Sequence, residues 1–375
     1  MILFGCGKTE YADPKTLSVK TTGIEISNIN EARPMSDGSI AVPLEANEQG
    51  NFVVAKIRRD GTVEVSDSIS GIYNTSMVLD MAVNSSGECL FARISDYTVG
   101  SYVMAKLDAG GRQVFLDDEV VLGDYQAIVT LLSDGSVAYF NSSFSENGTE
   151  TPFIMKIIGN NFSYRISNTT PYNIVAAFDD LLVAYAQYSD DAQYLIFRPD
   201  GTVIGGGIFD CGIITSVQCI GGYLYFLVYD TDFNLDDGSY SSYYYVIKTD
   251  LSGNQKFCEK VESDQMTDNI TVHDGKIITT GKVITDKEKY SGYGAVFVLD
   301  DNTGKLLSTI PLDYLGCDII PFYVSPAPKG GYDVYAVRRE SYDDISDTRS
   351  GFHAMNGGRL YIYHADNLLE LDINN

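Results

Sequence analysis

An all-β fold is what this sequence predicts, and three observations carry the prediction. Turn-forming pairs recur along the chain at Asp37-Gly38, Ser86-Gly87, Asp134-Gly135, Asp179-Asp180, Gly221-Gly222, Asp274-Gly275 and Gly330-Gly331, spaced 42 to 56 residues apart. A second series is interleaved with the first, at Asp60-Gly61, Gly110-Gly111, Asn160-Asn161, Asp200-Gly201, Ser252-Gly253, the "DNTG" ending at Gly304, and Asp366-Asn367. Asp-Gly, Gly-Gly and Asn-rich pairs permit the positive φ angles of tight hairpin turns, and two hairpins per copy make a four-stranded antiparallel sheet. The third observation is that middle runs such as "YLYFLVY" (Tyr223 to Tyr229) and "GAVFVL" (Gly294 to Leu299) are apolar on both faces. Such a strand needs cover on both sides, which stacked sheets supply. A solenoid would use shorter repeats, and a sandwich would not hold the period through seven copies. The reading is a seven-bladed β-propeller of four-stranded antiparallel blades.

The fifth copy shows the unit in order. "IITSVQCI" (Ile213 to Ile220) leads through Gly221-Gly222 into "YLYFLVY"; a polar stretch reaches Ser242; "YYYVIK" (Tyr243 to Lys248) follows, then Ser252-Gly253 and "QKFCEKV" (Gln255 to Val261). Both turns of each copy are expected as two-residue connections. Lys56, Lys106, Lys156 and Lys248 each sit four residues before the second turn, where Ile196, Val298 and Ile362 stand in copies four, six and seven. These lysines read as solvated strand ends. The seventh copy is expected to supply all four of its strands, ending with "LLELDIN" (Leu368 to Asn374), while "TLSVKTT" (Thr16 to Thr22) either protects an outer edge or belongs to a tether.

Composition bounds the partners. The 375-residue chain carries 27 Tyr, 17 Phe and no Trp, and its formal net charge is −25. So acidic a surface repels phosphate, which excludes DNA and RNA as partners and argues against direct binding to anionic lipid. None of the six cysteines (Cys6, Cys89, Cys211, Cys219, Cys258, Cys317) forms a C-x-x-C pair, and His273, His353 and His364 are scattered, so no zinc-type spacing exists. Few or no disulfides are expected; Cys211 and Cys219 read as strand neighbours rather than as a pair across a turn. No cofactor is called for, and the chain is expected as a monomer.

The chain opens "MILFGCGKTE", and Leu3-Phe4-Gly5-Cys6 resembles the lipobox of bacterial lipoproteins. The repeat grammar resembles bacterial propeller repeats of the form "DG-x-apolar … apolar-K-apolar-x-x-DG", from about Ser27 to Ile373. Together they resemble the seven-bladed β-propeller lipoproteins of Bacteroidota-type cell envelopes. That resemblance implies residues 1–5 as the remnant of a signal peptide, Cys6 as the lipidated residue, residues 6–24 as lipidated cysteine and tether, and residues 25–375 as one propeller domain. It implies a protein held by its N-terminal lipid at the outer membrane or the periplasmic face. The family is defined by fold more than by activity, so it transfers no catalytic residue.

Strands alternate direction within a blade, so the short turns project from one end and the longer connections from the other. The longer connections form the expected binding face. "DTDFNLDDGSYSS" carries Asp230, Asp232, Asn234 and Asp236 at spacings similar to the start of a Ca²⁺ loop, but Leu235 and Ser241 stand where that loop needs Gly and Glu, so Ca²⁺ is a weak candidate. Copy seven inserts "RESYDDISDTRSGFHAMNGG", with Tyr342, Asp343, Asp344, Asp347 and His353. Tyr73, Tyr125 and Tyr172 lie at links between copies, where they can stack on sugars. The function expected is binding, without catalysis, of a glycan, peptide or envelope protein. The alternatives are an envelope hydrolase or lyase using acidic residues of copies five to seven, and a structural subunit of an envelope complex.

Overall fold

The computed structural model describes residues 17–28, 32–45, 52–68, 78–96, 101–121, 128–141, 153–157, 163–166, 174–179, 181–186, 192–233, 240–286, 291–312, 318–339 and 356–368. Among them every regular element longer than a turn is a strand. Strand β1 is Leu17–Asn28. The first sheet runs β2 (Arg33–Pro34), β3 (Ile40–Glu45), β4 (Phe52–Ile57) and β5 (Val63–Val65), and the second β6 (Val78–Val83), β7 (Cys89–Asp96), β8 (Ser101–Leu107) and β9 (Gln113–Val121). Then come β10 (Ile128–Leu131), β11 (Val137–Asn141), β12 (Phe153–Ile157) and β13 (Ser163–Ile166), followed by β14 (Ile174–Phe178), β15 (Leu181–Tyr185), β16 (Ala192–Phe197) and β17 (Val203–Phe209). The next sheet is β18 (Ile213–Ile220), β19 (Tyr223–Phe233), β20 (Tyr240–Asp250) and β21 (Gln255–Val261). The last strands are β22 (Gln265–His273), β23 (Lys276–Asp286), β24 (Ser291–Asp300) and β25 (Leu306–Pro311), then β26 (Asp318–Pro326), β27 (Tyr332–Arg339) and β28 (Asn356–Ala365). Every sheet is four-stranded and every strand pair antiparallel, as in β-propeller blades.

The chain divides into two compact units. The larger holds the sheets β2–β5 through β18–β21, and in it the first strand of each sheet lies against the first strand of the next: β2 on β6, β6 on β10, β10 on β14, β14 on β18. Side chains tie neighbouring sheets edge to edge. Arg33 Nε donates to Met81 O at 3.0 Å, Asn84 Nδ2 to Leu132 O at 3.1 Å, and Tyr194 OH to Gly253 O at 3.3 Å. Between sheets β14–β17 and β18–β21 lies a dry core in which Tyr194 stacks on Phe209 at 5.0 Å, and Phe226 meets both rings, at 4.6 and 5.1 Å. The smaller unit holds β22–β25 and the sheet β1-β28-β27-β26. There Thr267 Oγ1 and Asn269 Nδ2 both donate to Phe322 O, at 3.2 and 2.9 Å.

Three expectations need correction. First, the turns are of two kinds. Gly221 and Gly222 (φ 59° and 78°), and Asp274 and Gly275 (φ 48° and 69°), form two-residue turns between Ile220 and Tyr223 and between His273 and Lys276. Most of the others are three-residue loops. In the turn after Leu107, Gly111 N donates to Asp108 O and Asp108 N to Arg112 O, with the positive φ confined to Gly111 (79°). The same pattern recurs at Met35–Ser39, Leu132–Ser136, Arg198–Thr202 and Asp250–Asn254. A type I turn followed by a left-handed glycine needs only one positive φ, which explains why one Gly suffices there.

Second, Lys56, Lys106 and Lys248 are not left to solvent, while the side chain of Lys156 lies outside the described residues. Lys56 Nζ pairs with Asp37 at 2.8 Å, and Lys106 Nζ pairs with Glu88 at 2.9 Å while donating to Gly135 O of the next sheet's first turn at 2.7 Å. Lys248 is buried with its ammonium 4.4 and 5.1 Å from the ring centroids of Tyr223 and Tyr225. Their long stems reach back along the sheet, so the charge meets a partner at the first turn instead of water. Third, the outermost strand of the last sheet is β1, paired with β28 from Leu17↔Ala365 to Asn28↔Asn356. An N-terminal strand thus takes the place expected for "LLELDIN", in line with the edge-protecting alternative for Thr16–Thr22; Leu368 is buried, and residues 369–374 lie outside the described residues. The boundary expected between tether and domain, at residues 24 and 25, falls inside β1.

Candidate functional site

Most of the predicted site residues lie outside the described residues: Cys6, Tyr73, Tyr125, Tyr172, Asn234, Asp236, Tyr342, Asp343, Asp344, Asp347 and His353. Asp230 and Asp232 are described, at the end of β19 that leads into the connection to β20. Antiparallel register builds the site around them. Asp230 faces Tyr243, Asp232 faces Ser241, and Val228 faces Tyr245, which in turn faces Lys260 of β21. Side chains alternate along a strand, so Asp230, Asp232, Tyr243, Tyr245 and Lys260 share one face of the sheet.

The contacts on that face are specific. The Tyr243 hydroxyl donates to Asp232 Oδ1 at 3.1 Å, and Lys260 Nζ lies 3.4 Å from Asp232 Oδ2 and 3.4 Å above the Tyr243 ring. Tyr245 meets Tyr243 edge-on at 5.5 Å. Burial, the hydrogen bond to Asp232 and the nearby Asp230 charge push the Tyr243 phenol far above its ordinary pKa, so it stays protonated and donating at all physiological pH. Asp230 Oδ1 accepts from the Thr231 amide at 2.8 Å. The Tyr243 ring is buried, whereas the Asp232 side chain is 64% exposed and that of Lys260 39%. The result is an exposed carboxylate and ammonium oriented by a rigid phenol, able to accept from and donate to hydroxyl or amide groups of a ligand.

Of the residues at Ca²⁺-loop spacing only Asp230 and Asp232 are described, and Asp232 has the Lys260 ammonium 3.4 Å away. Among the described residues no group of three His, Cys, Asp or Glu side chains is arranged to hold a metal ion. Sequence reasoning missed Tyr243 and Lys260 as site members. The alternation of "YYYVIK" placed Tyr243 on one face, but only the register across two hairpins brings Lys260 to it.

A second polar cluster, also unforeseen, lies within the smaller unit. The buried Asp333 carboxylate accepts from His364 Nδ1 at 2.9 Å and lies 3.5 Å from the Arg59 guanidinium, which donates to Ser325 Oγ at 2.7 Å. Ser325 is engaged by Arg59 and not by the histidine, so the set is a compensated buried charge and not a nucleophile–base arrangement.

No protein-family model matches the sequence, and a comparison with curated protein sequences finds no relative. Solved structures with similar folds include a prolyl endopeptidase, at 13% identity and TM-score 0.48, covering 88% of this chain and 48% of that one. The tricorn protease matches at 11% identity and TM-score 0.45, covering 91% and 36%. A gluconolactonase from Xanthomonas campestris matches at 12% identity and TM-score 0.37, covering 93% and 90%. The chain thus spans half or less of the two peptidase chains, and identities this low transfer no activity to it. What its own strand order establishes is an all-β propeller architecture of small, four-stranded antiparallel sheets.

Proposed function

We propose that this chain is a binding module, not an enzyme, and that it holds a glycan through the sheet end carrying the β19–β20 connection. The observation that supports this most is the Asp232–Tyr243–Lys260 cluster. Its exposed carboxylate and ammonium sit 3.4 Å apart beside a fixed aromatic ring, a combination that matches the alternating donors and acceptors of sugar hydroxyls. Under this proposal each four-stranded sheet is one blade of a seven-bladed propeller, β1 completes the blade of β26–β28, and Cys6 carries the lipid that holds the protein at the cell envelope. A peptide or envelope protein on the same sheet end is the coarser form of the reading.

The test probes the full chain on arrays of glycans and peptides, together with Asp232→Asn and Lys260→Ala. Retention of a glycan signal by the parent chain and its loss by at least tenfold in both variants would support the proposal. An empty glycan array, or a signal indifferent to both substitutions, would overturn it. The anchoring part is tested separately, by incorporation of a labelled fatty acid in an expressing bacterium; label that persists in Cys6→Ser would remove it.

A further inference from the structure

Six Asp-Gly pairs occur in the chain, and five lie among the described residues: Asp37-Gly38, Asp60-Gly61, Asp134-Gly135, Asp200-Gly201 and Asp274-Gly275. Asp-Gly is the dipeptide most open to an intramolecular reaction, because glycine has no side chain to shield its amide nitrogen from the preceding carboxyl. The folded turn decides whether that nitrogen and that carboxyl are available. In three of the pairs the nitrogen is committed: Gly38 N donates to Met35 O at 2.9 Å, Gly135 N to Leu132 O at 3.0 Å and Gly201 N to Arg198 O at 2.8 Å. The carboxyl is committed in four. Asp37 Oδ1 accepts from Ser39 N at 3.0 Å, Asp60 Oδ1 from Thr62 N at 2.9 Å, Asp134 Oδ1 from Ser136 N at 2.8 Å and Asp200 Oδ1 from Thr202 N at 2.9 Å.

Asp274-Gly275 is built differently. It is the two-residue turn joining His273 to Lys276, so both of its residues take positive φ, 48° and 69°, and the hydrogen bond of the longer loops has no counterpart. Among the described residues the Gly275 amide donates no hydrogen bond, although Gly275 O accepts from Asp301 N at 2.8 Å. A Cβ placed on Gly275 would meet no atom within 4 Å, so the space around the nitrogen is open. The Asp274 side chain is 73% exposed, and its Oδ2 lies 3.4 Å from His273 Nε2, beyond a firm hydrogen bond. Nucleophile and electrophile are therefore adjacent and unengaged at this pair.

We infer that Asp274-Gly275 is a modification site, where the backbone converts to isoaspartate faster than at the other four described pairs. Gly275 N attacks Cγ of the protonated Asp274 carboxyl. The new N–Cγ bond closes a five-membered succinimide, and the amide proton leaves with the carboxyl OH as water. A water then adds to the Asp274 main-chain carbonyl, breaks its bond to Gly275 N, and leaves the chain running through Cβ and Cγ. One water leaves and one returns, nothing is oxidised or reduced, and the mass is unchanged. The product adds one carbon to the main chain inside a two-residue turn. It loosens the pairing of His273 with Lys276 and the bond from Asp301 N to Gly275 O, and so disturbs both hairpin turns of sheet β22–β25. The α-carboxylate it frees is the group that isoaspartyl methyltransferases esterify, which makes this turn a substrate for that class of repair enzyme.

The test ages the full folded chain in warm neutral buffer, alongside a sample held unfolded in guanidinium. Both are digested, and peptides of unchanged mass but shifted retention are sequenced by electron-transfer fragmentation, which distinguishes isoaspartate from aspartate. In the folded chain isoaspartate should build up at Asp274 about tenfold faster than at Asp37, Asp60, Asp134 or Asp200, the factor by which an ordinary amide hydrogen bond restrains the engaged turns. In guanidinium the five rates should converge, because only folding separates them. Equal rates at the five pairs in the folded chain, a faster rate in one of the engaged loops, or the same bias toward Asp274 in guanidinium would overturn the inference. The parent chain is the only sample needed, so no variant has to fold, and glycan binding plays no part in the readout.

Discussion

Replacing Lys106 by methionine isolates what the repeated lysine contributes. The substitution keeps the apolar stem and removes only the ammonium, which pairs with Glu88 at 2.9 Å and donates to Gly135 O, on the next sheet, at 2.7 Å. The Lys106 side chain is 14% exposed and that of Glu88 23%, so the pair sits between two regimes. A solvated pair contributes about 0.2–1 kcal/mol, and breaking a buried one costs about 3–5 kcal/mol. Glu88 keeps its second donor, Asn84 Nδ2 at 2.8 Å, which limits the loss. The expected destabilisation is about 1–3 kcal/mol.

The same contact has a pH signature. Burial pushes the Glu88 carboxyl up, but hydrogen bonds from Lys106 and Asn84 outweigh it and hold the pKa below the ordinary carboxylate value. A depressed folded-state pKa contributes stability above the unfolded value, and that contribution disappears as pH falls through the folded one. Lys106→Met should therefore lose stability near neutral pH and lose less additional stability on acidification than the parent. Urea unfolding followed by tyrosine fluorescence suits a chain with 27 Tyr and no Trp. A cost below about 0.5 kcal/mol, the level of ordinary surface substitutions, with an unchanged acid limb, would refute the staple.

Two further outcomes follow from the packing. Phe226→Ala, at a fully buried ring between Tyr194 and Phe209, should cost about 3–5 kcal/mol in the same assay; a cost under about 1 kcal/mol would mean that the two sheets do not share that core. Deleting residues 1–28 removes β1 and bares the outer edge of β28, so the truncated chain should unfold earlier and self-associate in light scattering. A monomeric truncation of unchanged stability would show that β28 needs no partner.

Much of the architecture was legible because strand and turn signals are local. Gly38, Gly87, Gly135, Gly201 and Gly253, all at predicted turns, have positive φ between 77° and 86°. The turn type was less legible. An Asp-Gly pair suits a two-residue turn and the end of a three-residue loop alike, and only the strand register tells them apart. The site was the least legible part. Asp230 and Asp232 stood out as close carboxylates, yet their meaning changes once Tyr243 and Lys260 arrive from two other strands. Nothing in the run "QKFCEKV" marks Lys260 as a partner of Asp232.

By itself the sequence determined the strands, their order in hairpins and the need to cover both faces, because a two-residue period and a left-handed glycine act over a few neighbouring residues. Only the tertiary structure decided that β1 completes the last sheet, that Lys106 staples one sheet to the next, and that Lys260 meets Asp232. Those contacts depend on register and on how one sheet leans on another. A one-residue slip would turn each of these side chains to the opposite face, and no local pattern records which alternative the packed core selects.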